Sequence, residues 1–400
     1  MKETAALRRR ILARSSRVAV IGRGHAGSSL ARAAGDAGFP VTVMDADETR
    51  LESIEECDVV AICVPASIGQ RGSDLQDVAR SVGRTLRSGR LVIVGSSGAP
   101  GTTEELMRPA LEAAGLSADH DFLLATSPDR ADPGDDGNGF KTTPRIVGGM
   151  TREATGVAAL FFGQFVDKVV QVSSCRTAET AKLLEDMFRD VNVGLVNELA
   201  MFSDEQGIDV WEVIEAASTK PLGFISFRPG AGVDGGVNGS DDSIWSLTKN
   251  KDEAHRVLRL VGQARAVNAK MPEYLVSRIE RSLTGLGRDL SGARILALGV
   301  TDQPAAEAVS DSPALKVLNV LKSRGAKVAY HDPYVPEVML NGSVLSRSLL
   351  TERSVESADC VAILTPHSAY DLDWIATHAS LVFDAQNAFG SDRRPNVVRL

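Results

Sequence analysis

The chain has 400 residues, 43% of them hydrophobic and 24% charged, with a formal net charge of −8. Two or three globular domains fit that length and apolar share, and a fibrous or disordered chain is excluded. The acidic balance argues against nucleic acid or an anionic membrane as the main partner, so neither is expected, and an anionic small ligand needs a locally basic cleft.

The first sixteen residues hold Arg8, Arg9, Arg10 and Arg14 but lack the apolar core of a secretory signal, and they read as a solvated leading helix. No apolar stretch approaches the ~20 residues needed to span a bilayer, so a cytoplasmic protein is expected. Cys57, Cys63, Cys175 and Cys360 are scattered and form no C-x-x-C pair, which suggests neither a metal site nor a disulfide framework.

Arg17-Val-Ala-Val-Ile-Gly22 reads as a strand ending in a glycine turn, followed by a helix of small residues from Ser28 to Ala37. Further strands are Val41–Met44, Val59–Val64 and Leu91–Val94, and their helical spacers imply a parallel sheet. The plan recurs near the C-terminus in Arg294–Gly299, Lys327–Asp332, Asp359–Pro366 and Leu381–Asp384. Between the two α/β units a long helix is predicted from about Thr177 to Glu205, with Leu184, Met187, Phe188, Val191, Leu195, Leu199 and Phe202 as one buried stripe. Glu179, Lys182, Asp186 and Arg189 form a polar sector available to a ligand. Gly207 stops this helix and Asp209 caps the next, Val210 to Ala217. The glycine-rich stretch Arg228 to Asp242 reads as a functional loop.

Gly22-Arg-Gly24-His-Ala-Gly27 follows a strand and opens a helix, the context that makes G-x-G-x-x-G a dinucleotide fingerprint. Asp45 ends the second strand, 18 positions after Gly27 (45 − 27), where a carboxylate can accept the ribose hydroxyls and repel a 2′-phosphate. NAD is therefore expected over NADP, with Val64 and Pro65 at the end of the third strand also on the cofactor.

The chain resembles the UDP-glucose/GDP-mannose dehydrogenase family from about Arg17 to Asn387. The densest agreement is Thr177–Leu199, then Gly207–Ile214 and Thr219–Phe224, with shorter matches at Ala99–Thr103, Ser127–Arg130, Asp311–Pro313, Asp332–Tyr334 and Thr365–His367. The resemblance implies two Rossmann-like parallel-sheet domains joined by a central helical domain, divided at residues 1–172, 173–285 and 286–400. It also implies a homodimer formed through the central helices and oxidation of a nucleotide sugar's C6 alcohol with NAD.

In the family the second oxidation uses a cysteine in a Gly-Gly-His-Cys loop. Here that loop reads Pro229 to Ser240, and Val237 or Asn238 stands where the cysteine should be. Cys175, Cys360 and Ser240 are the alternative nucleophiles. Cations expected around Gly299 appear as Gln303 and Ser310, and an asparagine as Asp186. By resemblance Lys182 and Asp241 are catalytic, together with Ser97 for a threonine and Asp129 for a glutamate; Asp186, Arg189, Phe227, Gly230 and Gly232 are assigned to the substrate, and no metal is expected. Lys182 with Asp186 also reads as an i,i+4 surface ion pair.

The resulting expectation is NAD-dependent oxidation of a nucleotide sugar such as a UDP-sugar that, without the thioester-forming cysteine, either stops at the aldehyde after one hydride transfer or oxidises the hydrated aldehyde without covalent catalysis. The alternative is a catalytically silent paralogue that binds NAD or a nucleotide or pairs with an active homologue. A hydroxyacid or 6-phosphogluconate-type dehydrogenase is disfavoured by the second α/β unit.

Overall fold

The computed structural model describes residues 2–45, 51–64, 75–130, 139–232, 258–301 and 312–400. They fall into two compact units, and the boundary lies between Asp186 and Met187, inside one long helix.

In the first unit α1 (Lys2–Leu12) precedes β1 (Val18–Ile21), α2 (His25–Asp36), β2 (Val41–Met44), β3 (Val59–Ile62), α3 (Leu75–Thr85) and β4 (Leu91–Val94). A π-helical turn, Thr102–Met107, runs into α4 (Arg108–Glu112). Then come β5 (Leu123–Thr126), α5 (Gly139–Thr142), β6 (Arg145–Gly149), α6 (Arg152–Phe162) and β7 (Val169–Gln171). The sheet order is β2-β1-β3-β4-β5-β6-β7, and the first five strands are parallel. β6 runs antiparallel to β5 and carries β7 in parallel. The apolar runs seen in the sequence follow from burial on both faces: Val18, Val20, Val59 and Ala61 enter one core, and Ala19, Ile21, Val60 and Ile62 the other.

The leading helix is not simply solvated. Leu7 and Ile11, one turn apart, are fully buried in the same core as Phe161 and Phe162 of α6, while the arginines keep the outer face.

The helix α7 spans Cys175–Gln206 and stops at Gly207, whose φ of +67° ends it as expected. The predicted buried stripe is corrected. Leu184, Phe188, Leu195 and Phe202 are 63, 49, 61 and 56% exposed, and at 100° per residue they lie within about 40° of one another. The buried side is carried instead by Ala178, Val196 and Ala200.

In the second unit α8 (Val210–Ser218) is capped by Asp209, which accepts from the Trp211 amide, and is followed by α9 (Arg259–Gly285). Five parallel strands, β8 (Arg294–Leu298), β9 (Lys327–His331), β12 (Cys360–Ile363), β13 (Val382–Asp384) and β14 (Val397–Arg399), lie in the order β14-β13-β12-β8-β9. An antiparallel hairpin, β10 (Glu337–Leu340) and β11 (Ser343–Ser346), turns through Asn341 and Gly342, both at positive φ. Val196, Trp211, Met271, Leu275 and Ile279 share one core with Ile295 and Phe383, so the C-terminal half of α7, α8 and α9 pack with this sheet. The expected class of two parallel α/β sheets with long central helices stands. Among the described residues no helix is long and apolar enough to cross a membrane.

Candidate active site

In the first sheet the chain leaves β1 for β2 on one side and reaches β3 on the other, so a crevice opens at the C-terminal ends of β1 and β3. The glycine turn fills that point. Gly22 has φ +110°, and a Cβ there would stand 2.4 Å from the Cys63 carbonyl oxygen. A Cβ on Gly27 would stand 1.9 Å from the Gly22 oxygen, so this glycine lets α2 seat on the turn. Gly24 differs: nothing lies within 4 Å of its Cβ position, and as the α2 N-cap it makes no side-chain capping bond. Space and α2 amides therefore meet at Gly24, which suits a diphosphate.

The Gly22 amide donates to Met44 O at 2.8 Å, which brings the end of β2, and exposed Asp45 after it, beside the turn. Val64 is buried behind Gly22. Pro65 lies outside the described residues.

The next two strands deliver the other candidates to the same edge, because half-buried Ser97 follows β4 and Asp129 follows β5. Asp129 accepts from both terminal nitrogens of Arg145, the first residue of β6. Arg145 also lies over the Phe140 ring, 3.7 Å from its centroid. Burial pushes the guanidinium down, and Asp129 opposes that.

Lys182 Nζ donates to Asp186 Oδ1 at 2.9 Å, with the two side chains only 13 and 18% exposed. The ion pair exists, but it is partly buried instead of solvated. The expected ligand-facing sector is corrected at Glu179, which is 2% exposed and accepts from the Gly101 and Thr103 amides at 2.6 and 2.8 Å. Its carboxyl is raised by burial, against which the Thr103 and Gly101 hydrogen bonds act.

In the second unit Arg189 is half-buried, and Phe227 packs edge-on to Phe188 with ring centroids 5.7 Å apart. Gly230 donates its amide to Asn197 Oδ1 at 2.9 Å, and Asn197 Nδ2 donates to Asn268 Oδ1 at 2.9 Å. Gly232 has φ +114°, and a Cβ there would approach the Asn268 oxygen to 2.7 Å. The loop that starts at Arg228 is thus pinned by α7 and α9. Asp241, Val237, Asn238, Ser240, Gln303 and Ser310 lie outside the described residues.

The motifs Asp332-Pro-Tyr334 and Thr365-Pro-His367 interlock at the ends of β9 and β12. Buried Asp332 accepts from the Val300 and Tyr334 amides and pairs with His367 Nε2 at 2.9 Å, while Thr365 donates to Thr301 O. Gly299 makes the turn after β8 at φ +81°, where a Cβ would stand 2.2 Å from Thr365 O.

All four cysteines are buried and unpaired with one another. Burial pushes the Cys63, Cys175 and Cys360 thiols up to about 12 and raises Cys57 too. Cys175 and Cys360 are therefore thiols near neutral pH, which sets them aside as substitute nucleophiles. Sequence reasoning missed Arg145, although a lone charge heading the apolar run Arg145–Gly149 marked it. It also missed the paired asparagines, each a single amide on a helix face that turns inward.

Three family models match the chain in order: the NAD binding, central and UDP binding domains of the UDP-glucose/GDP-mannose dehydrogenase family, at residues 49–166, 176–270 and 296–391. UDP-N-acetyl-D-mannosamine dehydrogenase of Pyrococcus horikoshii is 31% identical over 346 residues, covering 84% of this chain and 79% of that protein. Protein CapL of Staphylococcus aureus is 29% identical over 352 residues, covering 85% and 82%. The solved structure of UDP-D-ManNAc dehydrogenase from Pyrococcus horikoshii superposes with a TM-score of 0.81 at 27% identity, covering 96% of this chain and 98% of that one.

Proposed function

Because the chain belongs to the UDP-glucose/GDP-mannose dehydrogenase family, and is with it an NAD-dependent nucleotide-sugar dehydrogenase, we propose that it oxidises the C6 alcohol of a UDP-N-acetylhexosamine and stops at the aldehyde. UDP-N-acetylmannosamine is the first candidate substrate, since that is the sugar named for the Pyrococcus horikoshii relative. The observation that carries the reading is the gathering of the glycine turn, Val64, Ser97 and Asp129 at successive strand ends of one sheet.

NAD, when bound, supplies the hydride acceptor. The Gly22–Gly27 turn and the α2 amides hold its diphosphate, and Asp45 takes the ribose hydroxyls. Lys182 holds the sugar oxygen and stabilises the negative charge it develops as its proton leaves. Asp241 serves as the proton acceptor. Asp186 belongs to the sugar side through its ion pair with Lys182, and Arg189, Phe227, Gly230 and Gly232 are assigned to the substrate on the family resemblance. A single transfer gives aldehyde, NADH and a proton. A second needs a thiohemiacetal or a hydrate, and the buried thiols do not support the first of these.

The exposed apolar side of α7 supports a homodimer. Incubation with NAD and a panel of UDP- and GDP-sugars, followed by mass spectrometry, tests the substrate class. A 6-aldehyde from UDP-N-acetylmannosamine agrees with the proposal; turnover confined to GDP-sugars contradicts it. A silent paralogue, the second reading, is favoured by the commitment of Asp129 to Arg145, and NAD binding without any turnover would select it.

A further inference from the structure

The first three turns of α7 carry two carboxylates, each tied to a different strand-end loop, with Lys182 between them. Glu179 accepts from the Gly101 and Thr103 amides in the segment after β4, the loop that carries Ser97. Glu185 takes Arg130, in the loop after β5 that carries Asp129, through Nε at 3.1 Å and Nη2 at 2.7 Å. Arg130 in turn donates to the Pro144 carbonyl at 2.5 Å. Glu179 and Glu185 stand three residues before and after Lys182, so at 100° per residue they flank it by about 60° on either side.

We propose that Glu179 and Glu185 form a clamp that sets where Lys182 stands relative to Ser97 and Asp129, and that both are positioning residues for the oxidation.

The local backbone explains why the Ser97 loop needs this hold. Gly101 is in the left-handed region, at φ +101°, and opens a π-helical turn, so amides at that helix start have no intrahelical acceptor. The carboxylate of Glu179 satisfies two of them from inside the protein. On the outer side Arg176 bridges Glu104 and Glu105 of the same turn, both at 2.6 Å. The loop is folded onto itself as well, since a Cβ on Gly98 would stand 2.5 Å from Thr102 Oγ1. A shift of the Gly101–Thr103 segment therefore carries Ser97 with it. Displacement of about 1 Å between reacting groups is enough to cost on the order of a hundredfold in rate. Glu179 makes no contact with a ligand in this scheme, since its two oxygens are taken by the loop.

The inference rests on the assignment of Lys182 to the sugar site, so the test separates the two. Lys182→Met, Glu179→Gln, Glu179→Asp and Glu185→Ala are compared with the parent for kcat and KM on UDP-N-acetylmannosamine and for NAD affinity, with active sites counted by NAD titration. Glu179→Gln keeps one acceptor but turns an amide N–H toward the second loop donor. The expected result is a kcat loss of at least tenfold in Glu179→Gln and a smaller loss in Glu185→Ala. NAD affinity stays within twofold, and Glu179→Asp recovers part of the rate. A structural role alone would lower the yield of folded protein and leave kcat per NAD site unchanged. If Lys182→Met is inactive while Glu179→Gln and Glu185→Ala both stay within twofold of the parent, the clamp is overturned and the site assignment stands. If Lys182→Met retains the parent rate, the site assignment falls and takes the clamp with it. Should Glu179→Gln not fold, Glu185→Ala decides alone, because the Glu185 side chain is 36% exposed and its removal leaves no buried gap.

Discussion

Arg145 places both of its terminal nitrogens on one oxygen of Asp129, at 3.1 and 3.2 Å, in a pair whose side chains are 4 and 11% exposed. Removing one member of such a pair strands the other charge in the interior, at a cost of ~3–5 kcal/mol. Asp129→Ala and Arg145→Met should each lower stability by about that amount in urea unfolding, and the double variant should lose much less than the sum of the two. Additive losses would show that the two charges do not depend on each other.

The three glycines of the turn should separate by cause. Gly27→Ala puts a Cβ 1.9 Å from the Gly22 oxygen, so α2 must move and stability should fall by ~1–3 kcal/mol. Gly24→Ala meets no protein atom within 4 Å and should leave the melting temperature within a degree or two, yet weaken NAD by roughly tenfold, or ~1.4 kcal/mol. Calorimetric titration with NAD beside a thermal melt reads both. Unchanged NAD affinity in Gly24→Ala would remove the diphosphate from this turn.

Burial alone would push the Asp332 carboxyl up, but His367 and the Val300 and Tyr334 amides bring it below the ordinary carboxylate value. A folded-state value below the unfolded one, ~3.9, means that ionised Asp332 stabilises the fold above that pH. The contribution is lost as pH falls through the folded value. Asp332→Asn should therefore be less stable than the parent at pH 7, and the difference should shrink as the pH is lowered below ~4. A difference that stayed constant from pH 7 to pH 3 would contradict this.

Much of the architecture was legible because the strands are buried on both faces: Val18–Ile21, Val59–Ile62, Leu91–Val94 and Cys360–Ile363 leave uninterrupted apolar runs between glycine and helix signals. The glycine turn was legible because each glycine has its own steric reason. Strands β5, β6 and β7 were not read: Arg145–Gly149 opens on a charge and ends in two glycines, and Val169–Gln171 is three residues long. The sector of Glu179 misled for a physical reason. A charged residue on a helix looks ligand-facing until its backbone partners, at Gly101 and Thr103 more than seventy positions away, are known. The apolar stripe of α7 misled in the opposite sense, because periodicity reports that a face is apolar and not what covers it.

If a second copy of the chain covers that face, charge placed on it should separate the copies. Leu195→Glu with Phe202→Glu, at positions 61 and 56% exposed, should convert a dimer to a monomer by light scattering at micromolar concentration, with the circular dichroism spectrum unchanged. A monomeric parent, or a variant that stays dimeric, would show that the face has another role.

The most direct test of the central claim is the count of NADH formed when limiting UDP-N-acetylmannosamine is exhausted with excess NAD. One NADH per sugar is predicted, with a product lighter than the substrate by two hydrogens. Two NADH per sugar with a 6-carboxylate product would contradict the single transfer, and no NADH despite saturable NAD binding would contradict the dehydrogenase activity itself.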